Sequence, residues 1–546
     1  MRIALALAFA ALLSAGAADA RTVILNANGY TLDDIGRLAK FGGLIVGDDG
    51  RIERLLKPGE KADGDVVDAG GRTLLPGLID AHGHVMGLGF LALQIDLSDT
   101  TSIDQALAKI ASYAAANPDR TWIVGGGWNQ VSWGLDRFPT SEELDIAVAD
   151  RPVWLSRVDG HAGWANAAAL KASGITAKTP DPAGGRIERD AKGKPTGVLV
   201  DTAMALIEKK LPLPTAAERA AALETALQIM ASVGLTGVHD AGIDPATWAL
   251  YEQFAKDGKL TVRISAMAGG ADALRAIAPK GATGWLFEDR LALNTVKLLA
   301  DGALGSRGAA MIEPYSDDPE NTGLMIIEGA KLRNVIAAAS MRGFQVNVHA
   351  IGDKANREVL NAFADIQKMG QPLVRPSIEH AQIIAPEDIG RFAKLGVIAS
   401  IQPTHATSDK AMAEDRVGPE RIKGGYAWKS LVNSGARIAG GSDFPVEPAN
   451  PFYGLHAAVT RQDRDGQPPK GWYANEALTL QQAFAAFTTG AAYAGQQERS
   501  VGTLTPGKWA DFILVDGDVF KIPAGDIWKV KVLETWLAGK RVYTRD

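Results

Sequence analysis

Eight short apolar runs, separated by longer stretches of helical periodicity, constrain this chain more than any other feature. They cover residues 74–79, 235–238, 262–266, 295–299, 345–348, 376–378, 396–401 and 437–439. Apolar runs this short read as strands buried on both faces. The helical patterns between them, clearest at 330–342 and 388–395, provide the crossovers that a parallel sheet needs. Eight such repeats predict an α/β fold closed into a (β/α)8 TIM barrel.

About 150 residues separate the first run from the second, far more than a βα connection requires. That stretch carries its own strand signals, Thr121-Trp122-Ile123-Val124 and Arg151-Pro152-Val153-Trp154-Leu155. It reads as a large insertion after strand 1, a subdomain over the barrel mouth at about residues 120–215. Its tryptophans (Trp122, Trp128, Trp133, Trp154, Trp164) either line an aromatic pocket or build the insertion's own core.

Both ends of the chain are β-rich. Residues 41–46 and 51–56 flank Gly47-Asp48-Asp49-Gly50, a hairpin signal, and strand patterns recur at 510–515, 530–537 and 541–543. Each cluster needs a partner to bury its apolar face. One small β-sandwich domain of residues 21–75 plus 502–546 is therefore expected beside a barrel of residues 76–501. Residues 1–20 read as a signal peptide: Arg2, an apolar run over 3–13 too short to span a bilayer, then Ala18-Asp19-Ala20. Cleavage near Ala20 predicts a periplasmic or secreted protein, and no later stretch reads as a membrane span.

Charge and cysteine content narrow the chemistry. Lys and Arg total 57 against 63 Asp and Glu, a formal charge of −6, with no basic stripe. Nucleic acid and anionic membrane surfaces are thus excluded as partners, a small-molecule substrate is expected, and a homo-oligomer stays open. The chain has no cysteine, so a metal here must use histidine, carboxylate or modified lysine.

Candidate ligands collect at the ends of the strand runs. Asp80-Ala81-His82-Gly83-His84 ends the first, and the period of two turns His82 and His84 to one side, with Gly83 leaving room between them. His349 ends the fifth, His380 the sixth and Asp443 the eighth. Four of only eight histidines fall at these positions, where a barrel gathers its functional groups. Lys297 lies inside the fourth apolar run, where a free ammonium is costly unless it is paired, deprotonated or modified, or its head escapes to solvent.

In combination, Pro76-Gly77-Leu78-Ile79-Asp80-Ala81-His82-Gly83-His84, Lys297, His349, His380, Asp443 and the Val501–Phe512 stretch, Val501-Gly502-Thr503-Leu504-Thr505-Pro506-Gly507-Lys508-Trp509-Ala510-Asp511-Phe512, resemble the amidohydrolase superfamily. The segment from Lys297 with Asp301-Gly302 and Gly305-Ser306-Arg307, His349-Ala350-Ile351-Gly352-Asp353 and Gly441-Ser442-Asp443 resemble the branch containing N-substituted formamide deformylase. So do Gly125-Gly126-Gly127-Trp128 and Asp159-Gly160-His161. The resemblance implies two divalent metals, Zn²⁺ first, with Mn²⁺ or Fe²⁺ as alternatives. It further implies His82 and His84 on the more buried metal, His349 and His380 on the other, and a carbamylated Lys297 bridging them. Asp443 would be both metal ligand and general base in the attack of a metal-bound hydroxide on a C–N bond.

Five further residues are candidate substrate contacts: Trp128 and His161 in the insertion, His239 at the second strand end, Arg307 after Lys297, and His405 after the seventh strand. Arg307 also reads as a brace for its loop, Asp301 as orienting its own loop, and His456 as beginning a helix beyond the eighth strand. The same metal site also suits a lactonase, esterase or deaminase. A non-catalytic periplasmic metal- or solute-binding protein is a third reading, against which a positioned Asp443 argues.

Overall fold

The computed structural model describes residues 21–33 and 35–545; the expected signal peptide lies outside them. Eight strands run parallel in one sheet: β1 (Leu78–Gly83), β2 (Leu235–Ile243), β3 (Arg263–Gly269), β4 (Leu291–Leu299), β5 (Gln345–Ala350), β6 (Val374–His380), β7 (Ile398–Ile401) and β8 (Ile438–Gly440). They pair in sequence order from β1 to β8, each with the next. The seam between β8 and β1 nearly closes the barrel. There Asp443 N donates to His82 O at 2.7 Å, and His84 N to Phe444 O at 2.7 Å. All eight expected runs are strands, and helices Gly329–Ser340 and Pro386–Leu395 occupy two of the predicted crossovers.

One expected strand divides. Residues 74–79 split at Gly77: Thr73–Pro76 joins a different sheet, and β1 begins at Leu78. Gly77 is packed so tightly that an added Cβ would lie 2.1 Å from Thr236 Oγ1. A bend with no side chain lets the chain pass from one sheet to the other.

The two ends of the chain do meet. A six-stranded sheet runs Lys540–Thr544, Val532–Leu537, Phe512–Val515, Thr73–Pro76, Asn28–Leu32 and Leu38–Phe41. A four-stranded sheet beside it contains the predicted hairpin, Gly43–Val46 antiparallel to Ile52–Leu56. Ile24, Leu44, Leu74, Phe512 and Trp536 pack in one apolar cluster drawn from both sheets. A buried ion pair ties the barrel to this region: Arg263 at the start of β3 donates from Nε and Nη2 to Asp511, at 2.6 and 2.9 Å.

Between β1 and β2 the insertion forms a six-stranded sheet from Ile95–Asp96 to Pro195–Asp201. Trp128, Trp133 and Trp164 pack in its own core cluster, with ring centroids 6.1–6.3 Å apart. Of the two expectations for these rings, the core reading holds. No described helix is long and apolar enough to cross a membrane.

Candidate metal centre

The ends of β1, β4, β5, β6 and β8 bring His82, Lys297, His349, His380 and Asp443 together, with His84 just beyond β1. His82 Nε2 and His84 Nε2 lie 3.5 and 3.1 Å from the same oxygen, Asp443 Oδ1. His380 packs against both His82 and His349, at centroid distances of 4.8 and 4.6 Å. One ligand atom each from His82, His380 and Asp443 falls within 4.8 Å of the other two. This set draws one residue from each of the expected histidine pairs.

The buried groups show what the cluster lacks. Asp443 is 6% exposed, and its Oδ1, though 3.1 Å from His84 Nε2, makes no well-aligned hydrogen bond. An ionised oxygen in that position is costly unless a cation completes it. Imidazole nitrogens and a carboxylate oxygen are the donors expected around a divalent metal, and His82, His380 and Asp443 fit one.

Neighbours set the state of each ligand. His82 Nδ1 donates to Glu379 Oε2, which leaves Nε2 with its lone pair facing the cluster. In the bare chain that lone pair accepts from Lys297 Nζ at 3.0 Å. His380 Nδ1 donates to Gln402 Oε1 at 2.8 Å, again leaving Nε2 free. His349 Nε2 faces Gly302 O at 3.3 Å. Burial holds His82, His349 and His380 below the ordinary imidazole range, so each is neutral, as a ligand must be. Burial also lowers the pKa of Lys297, favouring the free amine. Burial opposes the ionised form of Asp443, but the contacts of His405 and His84 outweigh it and hold the carboxyl well below its usual range.

A second layer fixes these residues in place. Asp80 accepts from His82 N and Ser442 N at 3.0 Å and from Ser442 Oγ at 2.6 Å, joining the β1 end to the Asp443 loop. Gly441 is pressed against this junction, where an added Cβ would lie 2.6 Å from His82 N. Asp301 is fully buried and accepts from Ala310 N, Ile351 N and Gly352 N at 2.8–3.0 Å. It thereby orients its own loop, as expected, and also the loop after His349. His380 and Asp443 have φ values of +74° and +62°, a strain of about 1–3 kcal/mol each that the tethers offset.

Two cavities, of about 720 and 770 Å³, meet at His349, His380 and Asp443 and share His161 and Arg157 as walls. The first also holds His405, Asp409 and Glu447. The second holds His82, His84, Lys297, Phe90 and Met204. His405 Nε2 lies 3.3 Å from Asp443 Oδ2 and its Nδ1 lies 3.4 Å from Glu447 Oε1. Burial disfavours the imidazolium, yet the two carboxylates push its pKa up to about 10.

Several expectations need correction. Trp128 lines neither cavity; it is fully buried in the insertion core and its Nε1 donates to Leu155 O at 2.7 Å. His239 also lines neither: it is buried against Gly495, where an added Cβ would lie 2.6 Å from its Nε2. Arg307 is turned to Asp317 at 2.9 Å and braces its loop, so it contacts neither cavity. Gly83 does not simply leave room between the histidines, since a Cβ there would lie 2.5 Å from the Phe444 ring across the barrel seam. His161 and His405 do reach the cavities; His456 is helical, but it lies in the middle of helix Pro451–Thr460 rather than at its beginning.

Sequence reasoning missed Glu379, Gln402 and Asp201. Glu379 carried a signal, being a carboxylate between the apolar run 376–378 and His380. Gln402 and Asp201 carried none, because their roles come from neighbours distant in sequence.

The amidohydrolase family model matches residues 65–543. The chain is 35% identical over 514 residues to YtcJ of Bacillus subtilis (strain 168), covering 92% of this chain and 95% of that protein. It is 28% identical over 543 residues to the N-substituted formamide deformylase of Arthrobacter pascens, covering 96% and 98%. A crystal structure of an uncharacterized metal-dependent hydrolase from Pyrococcus horikoshii OT3 matches with TM-score 0.73 and 26% identity, over 92% of this chain and 99% of that one.

Proposed function

From the premise that this chain belongs to the amidohydrolase family and is a metal-dependent hydrolase, we propose that it cleaves a C–N bond other than a peptide bond, in an amide, N-substituted formamide or N-acyl compound. The observation that carries this reading is the buried Asp443, whose Oδ1 lies against His82 and His84 without a well-aligned hydrogen bond and whose Oδ2 faces His405, where two cavities meet. Asp443 takes the proton of the attacking water as general base. The two cavities give separate room to the acyl part and the amine part of such a substrate.

His82, His84, Lys297 as a carbamate, His349, His380 and Asp443 would hold two divalent cations, with Zn²⁺ favoured by the imidazole-rich set and Mn²⁺ or Fe²⁺ as alternatives. Bound there, such cations supply a water of lowered pKa and a Lewis acid for the carbonyl. Carbamylation would turn the buried amine of Lys297 into an anion that offsets metal charge.

The same reading divides the chain into a β-sandwich of residues 21–75 and 502–546, the barrel of residues 76–501 with its insertion, and a signal peptide that directs a periplasmic or secreted protein. The deformylase relative supports the substrate class by its name alone. The test is metal content of the purified chain with a hydrolysis screen of formamides, N-acyl amino acids, simple amides and lactones. About two equivalents of metal with C–N cleavage is the expected result. Cleavage of lactones or esters alone would move the function to another bond.

A further inference from the structure

The insertion reaches the reacting groups at His161. This residue precedes the strand Ala162–Ala165, lines both cavities, and places its ring 5.1 Å from that of His349. Its Nδ1 lies 2.7 Å from Asp201 Oδ1. Burial opposes a charged ring, but the Asp201 carboxylate outweighs it and raises the pKa of His161, so Nδ1–H donates to Oδ1 and an Nε2–H is left for the cavity.

Asp201 is an improbable residue unless it serves that ring. Its side chain is 1% exposed, and Oδ2 has no hydrogen-bond partner. Its backbone sits at φ +51°, ψ −126°, a conformation costing a non-glycine residue about 1–3 kcal/mol. The carboxylate is wedged against backbone of the loop after Lys297, where a Cβ on Gly302 or Gly308 would lie 2.7 or 2.6 Å from Oδ2. Packing alone gains nothing from a strained, half-satisfied buried anion, whereas a histidine that must be aimed gains its orientation.

We infer that His161, held by Asp201, is a catalytic residue supplied by the insertion, and that its Nε2 donates a hydrogen bond to the nitrogen that leaves as the C–N bond breaks. Asp201 is its positioning residue. His161 approaches from the His349 side, while Asp443 stands with His82, His84 and His405. The general base and the leaving-group contact are thus separate residues. The inference rests on the C–N reading above.

A hydrogen bond to the leaving nitrogen matters most when that nitrogen holds its electron pair poorly. It matters little for nitroaniline, whose ring delocalises the pair. The test therefore uses one acyl group on a series of amines, from 4-nitroaniline to simple alkylamines, with the zinc-loaded full chain and its His161→Asn and Asp201→Asn variants. For His161→Asn we expect unchanged zinc content, KM within about 3-fold, and kcat lowered by about 100-fold for alkylamides but less than about 5-fold for the nitroanilide. Asp201→Asn shows the same selective pattern, more weakly. An equal loss of kcat across the series, or loss of zinc, overturns the role of His161 and leaves the C–N reading intact. If the wild-type chain cleaves no amide of the series but cleaves the matching esters, the C–N reading falls and this inference with it.

Discussion

Replacing Glu379 by glutamine tests whether the histidine tautomers at the barrel mouth are set from below. Glu379 is fully buried; Oε2 accepts from His82 Nδ1, and Oε1 accepts from Asn347 Nδ2 at 2.7 Å and Ser377 Oγ at 3.3 Å. Both carboxylate oxygens thus face donors. A glutamine must present its NH2 to one of them. Turned to Asn347, it sets donor against donor in a dry site. Turned to His82, it forces the proton onto Nε2 and removes the lone pair from the metal side of the ring. Losing such an outer partner weakens metal binding by about 10- to 100-fold, or about 1.4–2.7 kcal/mol. The assay is zinc content after equilibration at buffered free zinc, with circular dichroism to confirm the fold. A folded Glu379→Gln protein that holds zinc as tightly as wild type would refute this account of His82.

Three further outcomes follow from the same structure. Asp443→Asn removes the proton acceptor but keeps a neutral oxygen donor, so kcat should fall by about 10³-fold or more while much of the metal stays bound, as read by kinetics and metal analysis. Wild-type turnover in this variant would sink the proposed base. Lys297→Ala should lower metal content and activity together, with partial recovery when a small carboxylic acid is added; unchanged metal content would exclude a bridging lysine. Burial lowers His239 from 6.5 to about 4, so the unfolded chain binds the extra proton between those pH values. Stability is full above pH 6.5 and declines as pH falls toward 4, by on the order of 3 kcal/mol from this residue. Urea unfolding of the metal-free chain at pH 7 and pH 4.5 should show a smaller acid loss in His239→Gln, and an equal loss would exclude His239 as its source.

The barrel was legible because its signals are local. A strand buried on both faces must be apolar, a crossover helix must show a 3.6 period, and functional groups at strand ends interrupt the apolar runs. His82, His84, Lys297, His349, His380 and Asp443 all stand at such interruptions, so their meeting could be anticipated from order alone. Strand limits were less legible. Residues 74–79 read as one strand, yet the bend at Gly77 sends the two halves to different sheets.

The peripheral candidates separate for a physical reason. Whether Trp128, His239, Arg307 or His161 faces a cavity depends on which side of a sheet or loop packs against another element, and no local pattern encodes that. Trp128 turned inward because the insertion needs a core of its own. Arg307 turned to Asp317, ten residues on, while His161 turned to the cavity because Asp201, forty residues on, holds it there. The sequence by itself determined the repeating α/β architecture, the inventory of metal-capable side chains and their places at strand ends. Only the tertiary structure decided their protonation, their tethers and the two cavities they face, because each depends on burial and on partners that come together only when the barrel closes.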